Sequence, residues 1–498
     1  MSTAPEAVRY GLFIAGEDVQ PNAGRTLASI DPTTGAGWAE IAAADADDVD
    51  TAVKAAGDAF SGEAWRSLSP TRRGRLMMRF ADAISDNATE IARVETRDNG
   101  KLYKEMLGQL RVIPEWLYYF GGLADKVEGR VIPHDRASVL NYTLREPVGV
   151  VGIIIPWNSP VLLTMYALAP ALAAGNTVVV KPSEHASASV IETARLAEQV
   201  GFPPGVINVV TGDGEAGRAL VDHPGVARIA FTGSDATGKQ IAARAASRLA
   251  GSTLELGGKS ANIVFADCDL EAAEAGILAG IFGAAGQTCV AGSRALVAAE
   301  LHDELLERLQ RRTSAIRLGD PMDEKTQMGP IANPPQLERV ARMVDEARAA
   351  GAEVVSGGEH GHVDGLPGGL FYRPTILSGV GNDSRIAQEE VFGPVLTVIP
   401  FRDEAEAIAL ANGTRYGLAA GLWTNDVRRA HRVARELQAG TVWINLYRAI
   451  TYNSPFGGYK ASGLGRVNGA EAIEEFLQTK SVWCELSSEV QDPFVLRI

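Results

Sequence analysis

The chain has 498 residues, a length that indicates two or three domains rather than one ordinary core. Its hydrophobic content of 46% is normal for a soluble globular protein, and its formal net charge of −14 disfavours nucleic acid and anionic membrane as partners, because both bind basic surfaces. The amino terminus lacks the basic and apolar segments of a signal peptide, and no apolar run reaches the length of a membrane span, so we expect a cytoplasmic protein with no membrane partner.

Helices are predicted over most of the first quarter of the chain. The segment 45–60 is rich in alanine with acidic residues between, which is typical of a surface helix. Apolar residues at helical spacing predict two further helices, at 71–99, where Pro70 precedes the first turn, and at 106–127.

A regular alternation of strands and helices begins at residue 150. Short runs rich in valine and isoleucine alternate with helical stretches, which predicts a parallel sheet covered by helices on both faces. The predicted strands are 150–155, 177–180, 206–210, 226–231 and 253–256, and the predicted helices are 160–174, 186–200, 215–221 and 236–250. Such sheets bind ligands beyond the carboxyl ends of their strands.

A second alternating unit follows residue 257. Its predicted helices are 270–284, 302–315, 335–350 and 404–411, and its predicted strands are 295–298, 395–400 and 441–444. The Gly- and Pro-rich segment 357–369 is predicted to be a loop, and we expect His360 and His362 within it to be solvated rather than to bind a metal. Two partly polar strands, at 138–148 and 479–486, either pair across subunits or pair at an edge within one chain.

Cysteine usage points to a reducing compartment and to one reactive thiol. Cys268, Cys289 and Cys484 lie far apart, and the absence of a CxxC or Cys/His cluster argues against structural zinc. Cys289 follows a small, apolar helical stretch and has small neighbours in the segment 286–294, which favours an exposed nucleophile. Such a site must lower the thiol's pKa or pass its proton to a base. The alternative is a buried, inert cysteine.

Two polar side chains sit at the ends of predicted buried strands. Glu255 precedes two glycines, and a buried carboxylate there has a raised pKa and can act as a general base, unless it forms a salt bridge with Lys259. Asn158 lies in the loop after the strand 150–155. Its amide can donate to a developing oxyanion or, alternatively, stabilise a turn.

Other strand ends carry groups that suit ribose and phosphate. Lys181 can bind ribose hydroxyls or phosphate, and Glu184 can chelate vicinal hydroxyls, unless the two form a solvated ion pair. The turn 231–234 offers free backbone N–H groups to a pyrophosphate, whereas 212–217 only approximates a GxGxxG fingerprint. The segment 389–394 adds a carboxylate and an aromatic ring, which either meet a cofactor or form a strand entry and a core residue.

The order of these motifs resembles the NAD(P)-dependent aldehyde dehydrogenase superfamily. The resemblance runs from residue 13 to the C-terminal tail, and the motifs are highly specific when taken together. They are PWN at 156–158, KPSE at 181–184, FTGS at 231–234, ELGGK at 255–259, GQTC at 286–289, EVFGP at 390–394 and SPFGGYK at 454–460.

The resemblance implies an α/β fold in three parts. It implies a Rossmann-like parallel-sheet NAD-binding domain at 1–129 and 150–257, an α/β catalytic domain at 258–468, and a small β oligomerisation flap at 130–149 and 469–498. It also implies a homodimer or homotetramer.

The resemblance further implies a role for each motif residue. Cys289 is the expected nucleophile, Glu255 the general base, and Asn158 with the backbone N–H of Cys289 the oxyanion hole. The expected NAD-binding residues are Ile154, Trp157, Lys181, Ser183, Glu184, Gly214, Phe231, Gly233, Ser234, Leu256, Glu390 and Phe392. Because Glu184 places a carboxylate where the 2′-phosphate of NADP would lie, we expect NAD rather than NADP. The presence of Glu255 favours hydrolysis to a free acid over transfer to coenzyme A.

The substrate is predicted less sharply. Many relatives carry a bulky aromatic residue where this chain has Ser159, so a wide cavity beside Cys289 and a bulky or aromatic aldehyde are expected. The expected substrate-lining residues are Ser159, Leu163, Tyr166, Ile450 and Phe456. If Arg448 and Arg111 lie at the entrance, the alternative is a semialdehyde dehydrogenase for an acidic aliphatic aldehyde. A cofactor-independent (thio)esterase and a non-catalytic family member are further alternatives.

Overall fold

The structure, a computed structural model, describes residues 8–488 and residue 494. The strands are β1 (Val8–Tyr10), β2 (Leu12–Ile14), β3 (Glu17–Val19), β4 (Thr26–Asp31), β5 (Ala36–Ala42), β6 (Val131–Ile132), β7 (Val139–Pro147), β8 (Val150–Ile155), β9 (Thr177–Pro182), β10 (Ile207–Val209), β11 (Val226–Thr232), β12 (Gly251–Glu255), β13 (Ala261–Val264), β14 (Arg294–Ala298), β15 (Glu353–Ser356), β16 (Thr375–Ser378), β17 (Val395–Phe401), β18 (Tyr416–Gly417), β19 (Ala419–Trp423), β20 (Thr441–Ile444), β21 (Tyr459–Lys460), β22 (Gly463–Leu464) and β23 (Leu477–Glu485).

The α-helices lie between these strands. They are α1 (Ala46–Ser61), α2 (Glu63–Arg66), α3 (Pro70–Asp86), α4 (Ala88–Asn99), α5 (Tyr103–Val112), α6 (Pro114–Leu123), α7 (Pro160–Ala174), α8 (Ala188–Gln199), α9 (Gly214–Asp222), α10 (Asp235–Ser247), α11 (Leu270–Phe282), α12 (His302–Ser314), α13 (Pro334–Ala349), α14 (Arg385–Gln388), α15 (Glu404–Asn412) and α16 (Val427–Glu436). Short 3-10 helices cover Gly283–Gly286, Ala299–Leu301 and Ala470–Phe476.

An eight-stranded sheet, in the order β22-β12-β11-β8-β9-β10-β2-β3, contains the first alternating unit. Its five central strands, β12 to β10 in that order, run parallel, so their carboxyl ends lie along one edge. Every residue of β8 and β9 is buried, as expected of parallel strands covered on both faces. The later strand β11 lies on the side of β8 opposite to β9, so the strand order reverses at β8, where sheets of this kind bind ligands.

A seven-stranded sheet, in the order β15-β16-β17-β14-β13-β19-β20, contains the second unit. Its strands are parallel except for β15, which is antiparallel at one edge. The predicted α/β fold class is therefore confirmed. The strands β13, β16 and β19 lie outside the predicted elements, because their sequences ANIV, TILS and AAGLW mix small or polar residues with β-branched ones.

The two partly polar strands pair with each other within one chain. β7 and β23 run antiparallel over nine residues, from Pro147 opposite Leu477 to Val139 opposite Glu485. The structure therefore shows the second of the two alternatives for these strands. β6 pairs with the other side of β7, so that β23 is an edge strand of this three-stranded sheet.

Two long helices predicted from the sequence are each broken in the structure. The prediction for 71–99 is wrong at Asn87, which separates α3 from α4 with φ of −102° and ψ of 6°. The prediction for 106–127 is wrong at Pro114, because proline has no N–H to continue α5 and instead opens α6. The short strands β1 to β5 also lie outside the predicted elements.

The largest apolar cluster packs around α7, in which all residues but one are buried. The same cluster includes Val290 and Phe456, so a single core joins the two alternating units. Within the described residues, no helix combines the length and the apolar character needed to cross a membrane.

Candidate active site

Asn158, Glu255 and Cys289 line one cavity, of about 370 Å³, at the carboxyl ends of β8, β11 and β12. Asn158 follows β8, Glu255 is the last residue of β12, and Cys289 lies in the loop before β14. A second cleft, of about 490 Å³, shares with this cavity Pro156, Trp157, Thr232, Gly233 and Ser234. The two spaces therefore form one groove, with the three predicted catalytic side chains at one end.

The backbone before Cys289 makes an unusual left-handed turn. Ala284, Ala285 and Gly286 have φ values of 55°, 51° and 70°, a conformation that is uncommon for residues with a side chain. A Cβ atom at Gly286 would also lie 2.1 Å from the carbonyl oxygen of Gly393. The buried Gln287 side chain anchors the turn, since its Oε1 accepts a hydrogen bond of 2.9 Å from the N–H of Ala332.

Cys289 is partly exposed and faces the cavity, but its surroundings oppose the thiolate. Burial and, to a smaller extent, the carboxylates of Glu390 and Glu255 together raise the pKa of the Cys289 thiol to about 12. The backbone N–H of Cys289 and the ammonium of Lys101 act in the opposite direction. In the free protein at neutral pH the sulfur is therefore mainly protonated.

Asn158 joins the first alternating unit to the cysteine loop. Its side chain is buried, and Nδ2 donates a hydrogen bond of 3.1 Å to the carbonyl oxygen of Gln287. Because a carboxamide has two N–H groups, one is left to point at a ligand. Asn158 is thus held beside Cys289 as an oxyanion hole would require.

Glu255 is buried, and neither of its carboxylate oxygens has a hydrogen-bond partner among the described residues. Burial raises the pKa of Glu255 well above its usual value, while the nearby Arg466 opposes this shift. The alternative of a salt bridge with Lys259 is wrong, because neither the Lys259 ammonium nor the Glu255 oxygens have a hydrogen-bond partner among the described residues. Glu255 is thus a carboxyl group whose surroundings favour its protonated form, as expected of a buried proton acceptor and donor.

The segment 389–394 is held firmly against the cavity. The N–H of Gly258 donates to Glu390 Oε1 at 3.1 Å, and burial raises the pKa of Glu390 to about 7. Gln336 donates to the carbonyl oxygens of Val391 and Phe392 at 2.8 and 2.9 Å. These bonds hold Phe392 at a φ of 58°, where its ring meets that of Trp157 edge to face.

The cleft at the other end of the groove contains a lysine and a glutamate close to each other. Lys181 is buried, and its Nζ lies 3.5 Å from Glu184 Oε2. Burial alone would raise the pKa of Glu184, but the Lys181 ammonium brings it below its usual value. The cleft is lined by the predicted cofactor residues Ile154, Trp157, Lys181, Ser183, Glu184, Gly214, Phe231, Gly233 and Ser234. The remaining three, Leu256, Glu390 and Phe392, line the cavity beside Cys289.

One detail of the predicted phosphate turn differs from expectation. The N–H of Gly233 is not free, because it donates a hydrogen bond of 3.0 Å to the carbonyl oxygen of Glu255. The Ser234 side chain caps α10 by accepting from the N–H of Thr237. The N–H groups of the first turn of α10 are thus the donors that remain for an anion there.

Most of the predicted substrate residues lie outside the lining of the cavity that contains Cys289. Of these five, Leu163 lines the cavity. The buried Tyr166 ring stacks on Trp116 at 5.3 Å and meets Phe456 edge to face at 6.3 Å. Ile450 is half-buried against the same apolar cluster, which Cys289 also contacts.

Ser159 and the two arginines are placed differently from the expectation of an open tunnel. Ser159 is buried, and its Oγ accepts a hydrogen bond of 2.9 Å from Lys101 Nζ. Arg448 donates to the carbonyl oxygen of Ala279 at 3.0 Å, and Arg111 is exposed on α5. None of the three lines the cavity.

Sequence patterns did not identify five polar residues that line the cavity: Asp235, Gln336, Arg339, Arg415 and Tyr416. Asp235 directly follows the 231–234 motif, which was the only available signal. The others come from α13 and from the region of β18, distant in sequence from every motif. Arg415 lies 3.5 Å from the Asp235 carboxylate and donates to the Tyr416 hydroxyl at 2.8 Å, so an ion pair links the two units beside the cavity.

The described residues contain no group of three or more His, Cys, Asp or Glu side chains suited to hold a metal ion. His360 and His362 are both exposed.

Comparison with known proteins agrees with this site. The sequence pattern of the Aldehyde dehydrogenase family matches residues 19–482. The chain is 46% identical over 473 residues to (Z)-2-((N-methylformamido)methylene)-5-hydroxybutyrolactone dehydrogenase of Acinetobacter baylyi, covering 94% of this chain and 96% of that protein.

Two solved structures are closely similar. Betaine aldehyde dehydrogenase from Staphylococcus aureus in complex with NAD+ has a TM-score of 0.96 and 38% identity, covering 98% of this chain and 97% of that one. The NAD+ complex of an aldehyde dehydrogenase from Bacillus cereus has a TM-score of 0.94 and 41% identity, covering 96% and 97%. The chain belongs to the aldehyde dehydrogenase family, and the predicted family and enzyme class are confirmed.

Proposed function

We propose that the protein oxidises an aldehyde to its carboxylic acid, with NAD as cofactor and Cys289 as nucleophile. One observation carries this proposal: Cys289, Glu255 and Asn158 line a single cavity that opens into the second cleft. The groove suits a dinucleotide, because a buried lysine, a carboxylate and a helix N-terminus lie at one end and an aromatic pair at the other. The NAD+ complexes of the Staphylococcus and Bacillus relatives support the predicted cofactor.

The chemistry follows from the three side chains. Cys289 Sγ attacks the aldehyde carbon, and the resulting thiohemiacetal oxygen accepts hydrogen bonds from Asn158 Nδ2 and the N–H of Cys289. Bound NAD+ supplies the acceptor for the hydride that this carbon loses. Glu255 then takes a proton from the water that attacks the Cys289 thioester, and the free acid leaves.

The two sheets and the edge strand suggest how the chain is divided and assembled. In this proposal, 1–129 with 150–257 forms the NAD-binding domain, 258–468 the catalytic domain, and 130–149 with 469–498 an oligomerisation flap. Exposed apolar side chains on the three-stranded sheet, including Val131, Leu144 and Trp483, favour a homodimer or homotetramer. Three free cysteines favour a cytoplasmic location.

Replacement of Asn158 by alanine tests the oxyanion hole. Loss of one such donor typically lowers kcat by roughly 100-fold to 1,000-fold, because the donor acts mainly on the transition state. We expect that loss in steady-state NADH formation, with little change in NAD affinity measured by titration. The matched control is Asn22→Ala, since Asn22 is exposed and does not line the cavity. Unchanged turnover in Asn158→Ala would contradict the role.

Glu184 is expected to set the preference for NAD. Its carboxylate repels the 2′-phosphate of NADP, so kcat/KM should be higher with NAD. Glu184→Gln keeps the side-chain shape without the charge. It should bring the ratio of kcat/KM with NAD to kcat/KM with NADP closer to one. Glu215→Gln, in an exposed side chain of α9, controls for net charge. A preference of the unaltered protein for NADP rules out this role.

The substrate is proposed to be bulky or aromatic. The aromatic rings of Trp116, Tyr166 and Phe456 pack in the apolar cluster that Cys289 contacts, and the Acinetobacter relative is named for a substituted hydroxybutyrolactone. A kinetic panel of benzaldehyde, hexanal, succinate semialdehyde, betaine aldehyde and acetaldehyde should give the highest kcat/KM with benzaldehyde.

Leu163→Phe tests the width of the site with the same panel of aldehydes, because Leu163 lines the cavity beside Cys289. The larger side chain should lower kcat/KM for benzaldehyde much more than for acetaldehyde. A preference of the unaltered protein for acetaldehyde refutes the wide site, and a preference for succinate semialdehyde favours the acidic alternative.

A further inference from the structure

Lys101 is a buried cation without a buried counter-ion at contact distance. Its side chain is 4% exposed, and no carboxylate oxygen of the described residues lies within ion-pair distance of its Nζ. Among the described residues, this ammonium donates a hydrogen bond to Ser159 Oγ, at 2.9 Å. Burial of a charge is costly, so the field of an unpaired ammonium acts strongly on neighbouring groups.

Ser159 connects this ammonium to the cysteine loop. It follows Asn158, whose amide bonds to Gln287, two residues before Cys289. Ser159 is the N-cap residue of α7, yet its side chain makes no capping hydrogen bond. Its oxygen accepts from Lys101 instead, so its single hydroxyl proton remains to be donated to another group.

Lys101 and Cys289 face several ionisable groups, and Cys289 faces more carboxylates than cations. The ionisable groups that face Lys101 are Glu95 of α4, Glu105 of α5, Arg448 and Cys289. Cys289 is in turn faced by the carboxylates of Glu390 and Glu255, and the Lys101 ammonium opposes their effect. Burial lowers the pKa of Lys101 to about 8, so the ammonium is mainly protonated at neutral pH.

We propose that Lys101 is a positioning residue for the nucleophile, which acts through Ser159 and favours the thiolate form of Cys289. This inference rests on the proposed role of Cys289. In the step concerned, the S–H bond breaks, the sulfur keeps the electron pair, and the proton passes to solvent water through the open groove, since Cys289 is partly exposed. No oxidant or reductant takes part. Without Lys101, the effect of two nearby carboxylates on the thiolate is not offset by its ammonium.

The test measures the reactivity of Cys289 rather than turnover alone. Free protein is alkylated with iodoacetamide between pH 6 and pH 10, and the Cys289 peptide is quantified by mass spectrometry. Exposed Cys484 is an internal control for the reagent. Because the thiolate is the reacting species, Lys101→Met should slow Cys289 alkylation at pH 7 by about tenfold or more. Lys101→Arg, which keeps the charge, should stay within about threefold of the unaltered protein.

The pH profile separates this role from a structural one. The Lys101 charge is present below its pKa of about 8 and is lost above it. The difference between the unaltered protein and Lys101→Met should therefore shrink towards pH 10, whereas Lys101→Arg should keep its reactivity there. A packing defect in Lys101→Met has no reason to disappear at high pH.

Ser159→Ala keeps the test decisive if Lys101→Met does not fold. This variant leaves the ammonium in place but removes the hydroxyl, and it should slow Cys289 alkylation while Cys484 is unaffected. Unchanged Cys289 alkylation at pH 7 in folded Lys101→Met, or in Ser159→Ala, overturns the proposal. Normal alkylation together with a raised aldehyde KM also overturns it, because Lys101 would then act on the substrate. If the proposed function itself is wrong, the unaltered protein does not oxidise aldehydes, and this result is distinct from a failure of the role of Lys101.

Discussion

The site depends on one hydrogen bond, from Asn158 Nδ2 to the carbonyl oxygen of Gln287. It joins a loop at the end of the central strand of the eight-stranded sheet to the loop that carries Cys289 from the second unit. The left-handed backbone at 284–286 and the buried Gln287 side chain fix the second partner. A carboxamide, a thiol and a carboxyl group far apart in sequence are thereby held around one space large enough for a substrate carbon.

The cavity disfavours the charged forms of its ionisable side chains, and it does so to a different extent for each of them. Burial raises the pKa of Cys289 to about 12 and that of Glu390 to about 7, and it also raises the pKa of Glu255. A neutral carboxyl and a neutral thiol cost little in a dry cavity, but neither performs chemistry in that form. Lys101 supplies positive charge on the side of the cysteine, and the open groove admits water and ligand on the other. The reactivity of Cys289 therefore depends on which of these side chains are protonated.

Much of this arrangement was predictable from sequence because it lies at strand ends. The runs that form β8 and β9 are continuous and apolar, and the polar residues that follow them share one sheet edge by geometry. Gln336 and Arg339 were not predictable, since helix α13 carries no motif and its position comes only from tertiary packing. The hydrogen bond between Ser159 and Lys101 was not predictable either, because it joins residues 58 positions apart. The breaks at Asn87 and Pro114 show that local termination signals override a helical period.

The central claim is that Cys289 becomes acylated and that Glu255 is needed to release the acid. Intact-protein and peptide mass spectrometry of Glu255→Gln, mixed with NAD+ and benzaldehyde, tests it most directly. This variant keeps the side-chain size but has no carboxylate to activate water. We expect a benzoyl group to accumulate on Cys289, while the unaltered protein turns over without accumulating it. A benzoyl group on Cys268 or Cys484, or acid release at an unchanged rate with no adduct, would contradict the account.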